Sequence, residues 1–292
     1  MNSYRNVFNL AARASDYLIA GNDEHGLMPV PTAGKRTPIM PYVNRSFYEN
    51  EFNRMAKQYF LAACKRCGFR TLDVKPENTD ISLATRASRV NNAGASLLVT
   101  FAYNAFGDGV TFNNASGFEV IYSIYNAQAT RSRLLAQNIA SALSQGTAQN
   151  NRGVKTGNFY MLYAVNCPSN IVEAGFMTNL REARFMLDPD FQKEVGEETC
   201  QGVCNYLGVE YVPPARVNRS LIRQGSRGND VTYAQQKLYS KLYNEVGSID
   251  GVFGSKTAAA VRQFQADNGL VVDGIIGPRT WAVLSSIEGG RG

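Results

Sequence analysis

The chain has 292 residues, enough for about two domains, and its 44% hydrophobic and 18% charged residues suit a globular protein with a real core. No apolar run reaches the ~18 residues of a membrane span, so membrane insertion is not expected. The net charge of +6, most of it after Pro213, suits an anionic partner. No Lys/Arg run interleaved with aromatics offers a nucleic-acid groove, so no nucleic acid is expected.

In chain order, residues 1–20 are polar, are interrupted by Arg5, Arg13 and Asp16, and lack the apolar stretch of a secretory signal. The expectation is synthesis in the cytoplasm, with any outside site reached by another route. Residues 17–20 read as a short strand. Residues 49–67 place Phe52, Met55, Ala56, Tyr59, Phe60 and Ala63 on a helical stripe. Residues 96–105 (SLLVTFAYNA) read as a buried strand, 107–116 as a loop, and 118–122 (FEVIY) as an alternating strand. A helix over 132–143 and a loop over 145–157 follow. Strand-like runs at 160–164 and 170–173 and a closing helix over 191–207 complete this part. Strands separated by helices imply an α/β fold, a twisted, mostly parallel sheet flanked by helices.

Pro213-Pro214 favours extended backbone and marks a linker over 213–220. The division expected is therefore 1–212, a linker, and 221–287. Beyond the linker, Asp250-Gly251-Val252-Phe253-Gly254 with Thr257 returns as Asp273-Gly274-Ile275-Ile276-Gly277 with Thr280, 23 residues later. The glycines permit tight turns. Each threonine opens a helix whose apolar residues, Val261 and Phe264 or Trp281 and Leu284, face inward.

The five cysteines are Cys64, Cys67, Cys167, Cys200 and Cys204. An odd count with no signal argues against a disulfide framework. Cys64-Lys65-Arg66-Cys67 looks like half of a zinc knuckle or a redox pair, but no matching pair with histidine follows. Cys200 and Cys204 share one helix face. Buried free thiols are the expectation for all five.

Residues 222–284 closely resemble the peptidoglycan-binding module of wall hydrolases. The resemblance is carried by Arg223, Gly225, Gly228, Asp230-Val231, Gln235, Leu238, the two Asp-Gly turns, Phe264-Gln265, Gly269-Leu270 and Thr280-Trp281. It implies a small three-helix, all-α wall-binding domain with peptidoglycan as partner.

Residues 17 to about 209 resemble the zinc-dependent N-acetylmuramoyl-L-alanine amidases. The matching segments are His25-Gly26, the Thr-x-Gly-Lys-Arg-Thr-Pro loop at 32–38, Glu49 with Asn53, Leu83-x-x-Arg86, and Val172-Glu173-Ala174-Gly175-Phe176-Met177-Thr178-Asn179. By this resemblance His25 and Glu49 would bind Zn²⁺, Glu173 would be general base and acid, and Arg86 and Asn104 would contact substrate. Zinc in such a site polarises the scissile carbonyl and acidifies water; a carboxylate then moves the proton to the leaving amine. The bond implied joins muramic acid to the first L-Ala of the stem peptide.

One position departs from the pattern. The family's third zinc ligand is a histidine on the middle strand, and Thr100-Phe101-Ala102-Tyr103-Asn104-Ala105 has Ala102 there. His25 is the single histidine. Three readings stay open: an inactivated variant, an altered site completed by an oxygen ligand, and a degenerate amidase that binds wall without cleaving it. A cytosolic zinc peptidase is disfavoured by the C-terminal module.

Overall fold

The structure, a computed structural model, describes residues 13–26, 36–147, 149–215 and 217–288. Most of the Thr32–Pro38 loop lies outside the described residues.

Among the described residues six strands form one sheet: β1 (Leu18–Asp23), β2 (Arg70–Asp73), β3 (Leu97–Asn104), β4 (Phe118–Tyr122), β5 (Asn151–Thr156) and β6 (Ser169–Phe176). Their order across the sheet is β2-β1-β3-β6-β4-β5. β1, β2, β3 and β6 are mutually parallel; β4 meets β6 antiparallel and carries β5 parallel to itself.

The helices of this part are α1 (Glu49–Arg66), α2 (Leu83–Asn92), α3 (Ala129–Gly146), α4 (Tyr160–Tyr163), α5 (Leu180–Phe185) and α6 (Pro189–Leu207). Alternation along β3 sorts the layers. Leu97, Val99, Phe101 and Tyr103 join the main core with α1, α3 and α6. Leu98 and Ala102 turn to the other face, against residues of α2 and α4. Both faces are covered, which is why β3 reads as a continuous apolar run.

Two sequence readings need correction. Residues 160–164 are not a strand: Tyr160–Tyr163 is a single helical turn, α4, with Ala164 N–H bonded to Tyr160 C=O at 2.9 Å. A four-residue apolar run has no period long enough to separate helix from strand. Here the side chain of Asn126 decides, donating to the carbonyls of Leu162 and Val165. Residues 145–157 are not all loop, because 151–156 form the edge strand β5. β5 pairs only with β4 among the described residues and is largely exposed. Its polar sequence suits an edge and carries no apolar signal.

Among the described residues the C-terminal part has three α-helices: α7 (Asn229–Ser240), α8 (Ser255–Asp267) and α9 (Pro278–Leu284). The repeat seen in the sequence is a repeated hydrogen-bond unit. Gln235 donates to Asp250 (2.9 Å) and Thr257 (3.2 Å) and accepts from Gly251 N–H (2.9 Å). Gln265 donates to Asp273 (2.8 Å) and Thr280 (3.3 Å) and accepts from Gly274 N–H (2.9 Å). Each buried glutamine satisfies a turn and the helix that follows it, so the motif is a folding device.

This part is docked on the first. Lys237 of α7, fully buried, reaches Asp188, the N-cap of α6, at 2.6 and 2.8 Å. Tyr239 accepts from Arg45 Nε at 2.8 Å, Tyr233 donates to Asp190, and Leu242 belongs to the main core.

Candidate metal centre

β1 connects onward to β2 on one side, and the next strand, β3, lies on its other side. Such a reversal in strand order opens a crevice at the carboxyl ends of the strands. The chain leaving β1 enters that crevice as Glu24-His25-Gly26.

In an extended strand Glu24 and His25 would point in opposite directions. His25 instead has φ of 60°, the left-handed region, and the turn breaks the alternation. Both side chains then converge on Glu49, the first residue of α1. His25 Nε2 lies 3.4 Å from Glu49 Oε2 and 3.7 Å from Glu24 Oε2. One donor atom from each of the three lies within 4.8 Å of the others.

The turn is braced from below. Asn50 donates to the carbonyls of Glu24 (2.6 Å) and His25 (3.2 Å) and to the Asp23 carboxylate (2.8 Å). Asn53 donates to Glu49 Oε1 at 3.0 Å, and Tyr103 N–H donates to the same oxygen at 3.0 Å. Asp23 is buried between Lys57 (2.6 Å) and Lys75 (2.9 Å); burial lowers the Lys75 ammonium pKa, partly offset by Asp23. A Cβ on Gly26 would stand 2.3 Å from the backbone nitrogen of Asp80, so the residue after His25 has to be glycine.

The expected site residues fall as follows. His25 and Glu49 are together. Glu173, on β6, is in register with Ala102 on β3 and with Glu119 on β4; in-register neighbours stand about 4.8 Å apart. Glu119 is engaged by Lys155 (2.6 Å), Arg152 (3.0 Å) and Asn104 (3.3 Å). Asn104 therefore closes the same rim. Gly175 is required because a Cβ there would meet the Tyr103 hydroxyl at 2.6 Å. Asn179 caps α5, accepting from Arg181 and Glu182 N–H.

Arg86 lines a cavity of about 560 Å³ with Glu24 and His25, but it is 1% exposed. Its guanidinium donates to Asn22 Oδ1 (3.1 Å), Asp23 C=O (2.5 Å), Ile81 C=O (3.1 Å) and Asp80 Oδ1 (2.5 Å). That geometry makes Arg86 a brace for the end of β1 in the wall of the cavity.

Ala102 is buried against Ile121, Leu162 and Ile171 and offers no donor. Glu24, which sequence reasoning did not single out, stands where a third donor is needed. Its only sequence signal is adjacency to His25, and period-two alternation argues against using it. One imidazole and two carboxylates are a donor set that zinc accepts, leaving a position for water.

Comparison with known proteins agrees with this architecture. Residues 34–205 match the family model described as N-acetylmuramoyl-L-alanine amidase, and 227–284 match a peptidoglycan binding domain. The crystal structure of N-acetylmuramoyl-L-alanine amidase from Clostridium difficile 630 superposes with TM-score 0.58 and 28% identity, covering 67% of this chain and 98% of that one. The catalytic domain of CwlV from Bacillus (Paenibacillus) polymyxa var. colistinus shares the fold, with TM-score 0.56 at 22% identity over 66% of this chain and 99% of that one. A Kitasatospora aureofaciens protein of uncharacterised role is 45% identical over 64 residues, 22% of this chain and 54% of its own length. The chain thus spans about half of that relative. It spans 26% of N-acetylmuramoyl-L-alanine amidase LytC of Bacillus subtilis, with 26% identity over 45% of this chain.

Proposed function

Because the chain belongs to the N-acetylmuramoyl-L-alanine amidase family, we propose that it hydrolyses the amide between muramic acid and the L-Ala of the stem peptide in peptidoglycan. In this reading residues 1–212 carry the chemistry, 213–220 link, and 221–287 hold the wall. The observation that carries it is the convergence of Glu24, His25 and Glu49 at the sheet's carboxyl edge.

These three residues would hold Zn²⁺, with Glu24 taking the place left by Ala102. Bound there, the ion would polarise the scissile carbonyl and lower the pKa of water towards neutrality. Glu173 accepts the proton of the attacking water and returns it to the departing L-Ala nitrogen as the C–N bond breaks. Lys155 and Arg152 hold Glu119, which keeps a second negative charge from acting alone beside Glu173. Asn104, the last residue of β3, would contact the substrate in this reading. Arg86, Asn50 and Asn53 brace the ligand turn.

Among the described residues no helix is long and apolar enough to cross a membrane.

The test uses purified walls, measuring new amino groups and identifying the exposed N-terminus. Free L-Ala amino ends, lost on chelation and restored by zinc, are expected. Binding to walls with no amino groups released at any zinc concentration would leave only wall attachment and sink the reading.

A further inference from the structure

We propose that Cys64, Cys67, Cys200 and Cys204 form a second metal site, a tetrathiolate centre for a soft divalent cation such as zinc, which fastens the two ends of the amidase part together.

The four residues lie 133 positions apart in two pairs and meet because α1 and α6 pack side by side. Their close approach has a visible cause. A Cβ on Gly196 would meet the backbone nitrogen of Phe60 at 2.7 Å, so only glycine lets the helices come this near. One turn later on α6 comes Cys200, and one turn later on α1 comes Cys64.

The sulfurs are already gathered. Those of Cys67, Cys200 and Cys204 all lie within 4.8 Å of one another, and the Cys67 and Cys200 sulfurs are 3.9 Å apart. Zinc–sulfur bonds of about 2.3 Å at tetrahedral angles put sulfurs about 3.8 Å apart. Cys64, buried beside them and electrostatically coupled to Cys200, lies outside the three gathered sulfurs and would move in to supply the fourth. All four are buried and none is in a disulfide. The spacings, two and three residues between partners, lie within those of structural zinc sites.

Two donors stand beside the cluster. Val212 N–H donates to Cys67 Sγ at 3.3 Å, the kind of second contact that steadies a sulfur ligand. Arg66 donates to Val212 C=O at 2.8 Å, pairs with Glu197, and acts electrostatically on Cys204. Without a metal, burial keeps the Cys64 and Cys67 thiols protonated. Loading would release those protons to solvent with no electron transferred. The centre would also tie Val212, the last residue before the paired prolines, to the body.

The experiment replaces zinc with Co²⁺ in the full chain, purified under reductant, and reads the near-ultraviolet absorption of cobalt–thiolate bonds. The expected result is strong sulfur-to-cobalt bands that persist in the His25→Ala/Glu49→Gln chain and vanish in Cys200→Ser/Cys204→Ser. With zinc, about one equivalent should stay with the His25→Ala/Glu49→Gln chain until a mercurial displaces it. No thiolate bands in the intact chain, with all five thiols titrating freely after denaturation, overturns the site. A Cys67–Cys200 disulfide in the reductant-purified protein overturns it too. Because the readout is sulfur ligation, loss of amidase activity does not touch it, and its failure leaves the amidase reading intact.

Discussion

Glu24 and Ala102 can be separated by substitution. Glu24→Gln leaves shape and removes one anionic donor, so active-site zinc affinity and amidase activity should each fall more than about 100-fold, beyond what loss of an outer contact costs. Zinc titration of the Cys200→Ser/Cys204→Ser background isolates that site. Unchanged affinity would remove Glu24 from the ligand set. Ala102→His in the Glu24→Gln chain should restore part of the binding. Its ring enters space lined by Ile121, Leu162 and Ile171, so about 1–3 kcal/mol of stability should be lost to overpacking, seen as a lower urea midpoint. Restored binding with no stability loss would show that the apolar lining yields more easily than its burial suggests.

At the level of elements, α6 carries an unusual electrostatic load. Burial raises the carboxyl pKa of Glu194 to about 7 and that of Glu198 to about 8. Both folded values lie above the ~4.3 of an unfolded chain. Their protonated forms therefore favour the fold below about pH 4, and that contribution is lost as pH rises through 7 to 8. Glu198→Gln should melt above the parent at pH 9 and close to it at pH 5, by thermal scans across pH. A constant gap would mean Glu198 does not titrate in that range.

The long elements were readable from sequence because apolar periodicity marks them: α1, β3, β4 and α6 stand where their stripes and runs put them. β2 is short, α2 buries only Arg86, Ala87 and Val90, and β5 has almost no apolar pattern, since an exposed edge need not be apolar. Of the site, His25 and Glu49 were legible as motif residues. Glu24 was hidden by a single backbone angle, and the cysteine cluster by the 133 positions between Cys67 and Cys200, because convergence of that kind belongs to helix packing and leaves no local trace.

Across the whole molecule, the buried Lys237–Asp188 pair ties the two parts together. Lys237→Ala strands a buried carboxylate and should cost about 3–5 kcal/mol, measured by urea unfolding. Lys237→Met with Asp188→Leu should recover most of that loss. A single substitution costing less than about 1 kcal/mol would mean that water reaches the pair.

That docking has a geometric corollary for the proposed action on a polymer. An anchor on a slack tether lets the blade sweep any bond within reach. Here the grip and the blade share one frame, so a strand once seized presents its scissile bonds at a set offset and angle. Digestion should then step along the glycan in regular strides, and loosening α7 from α6 should scatter the product lengths without slowing a single cut.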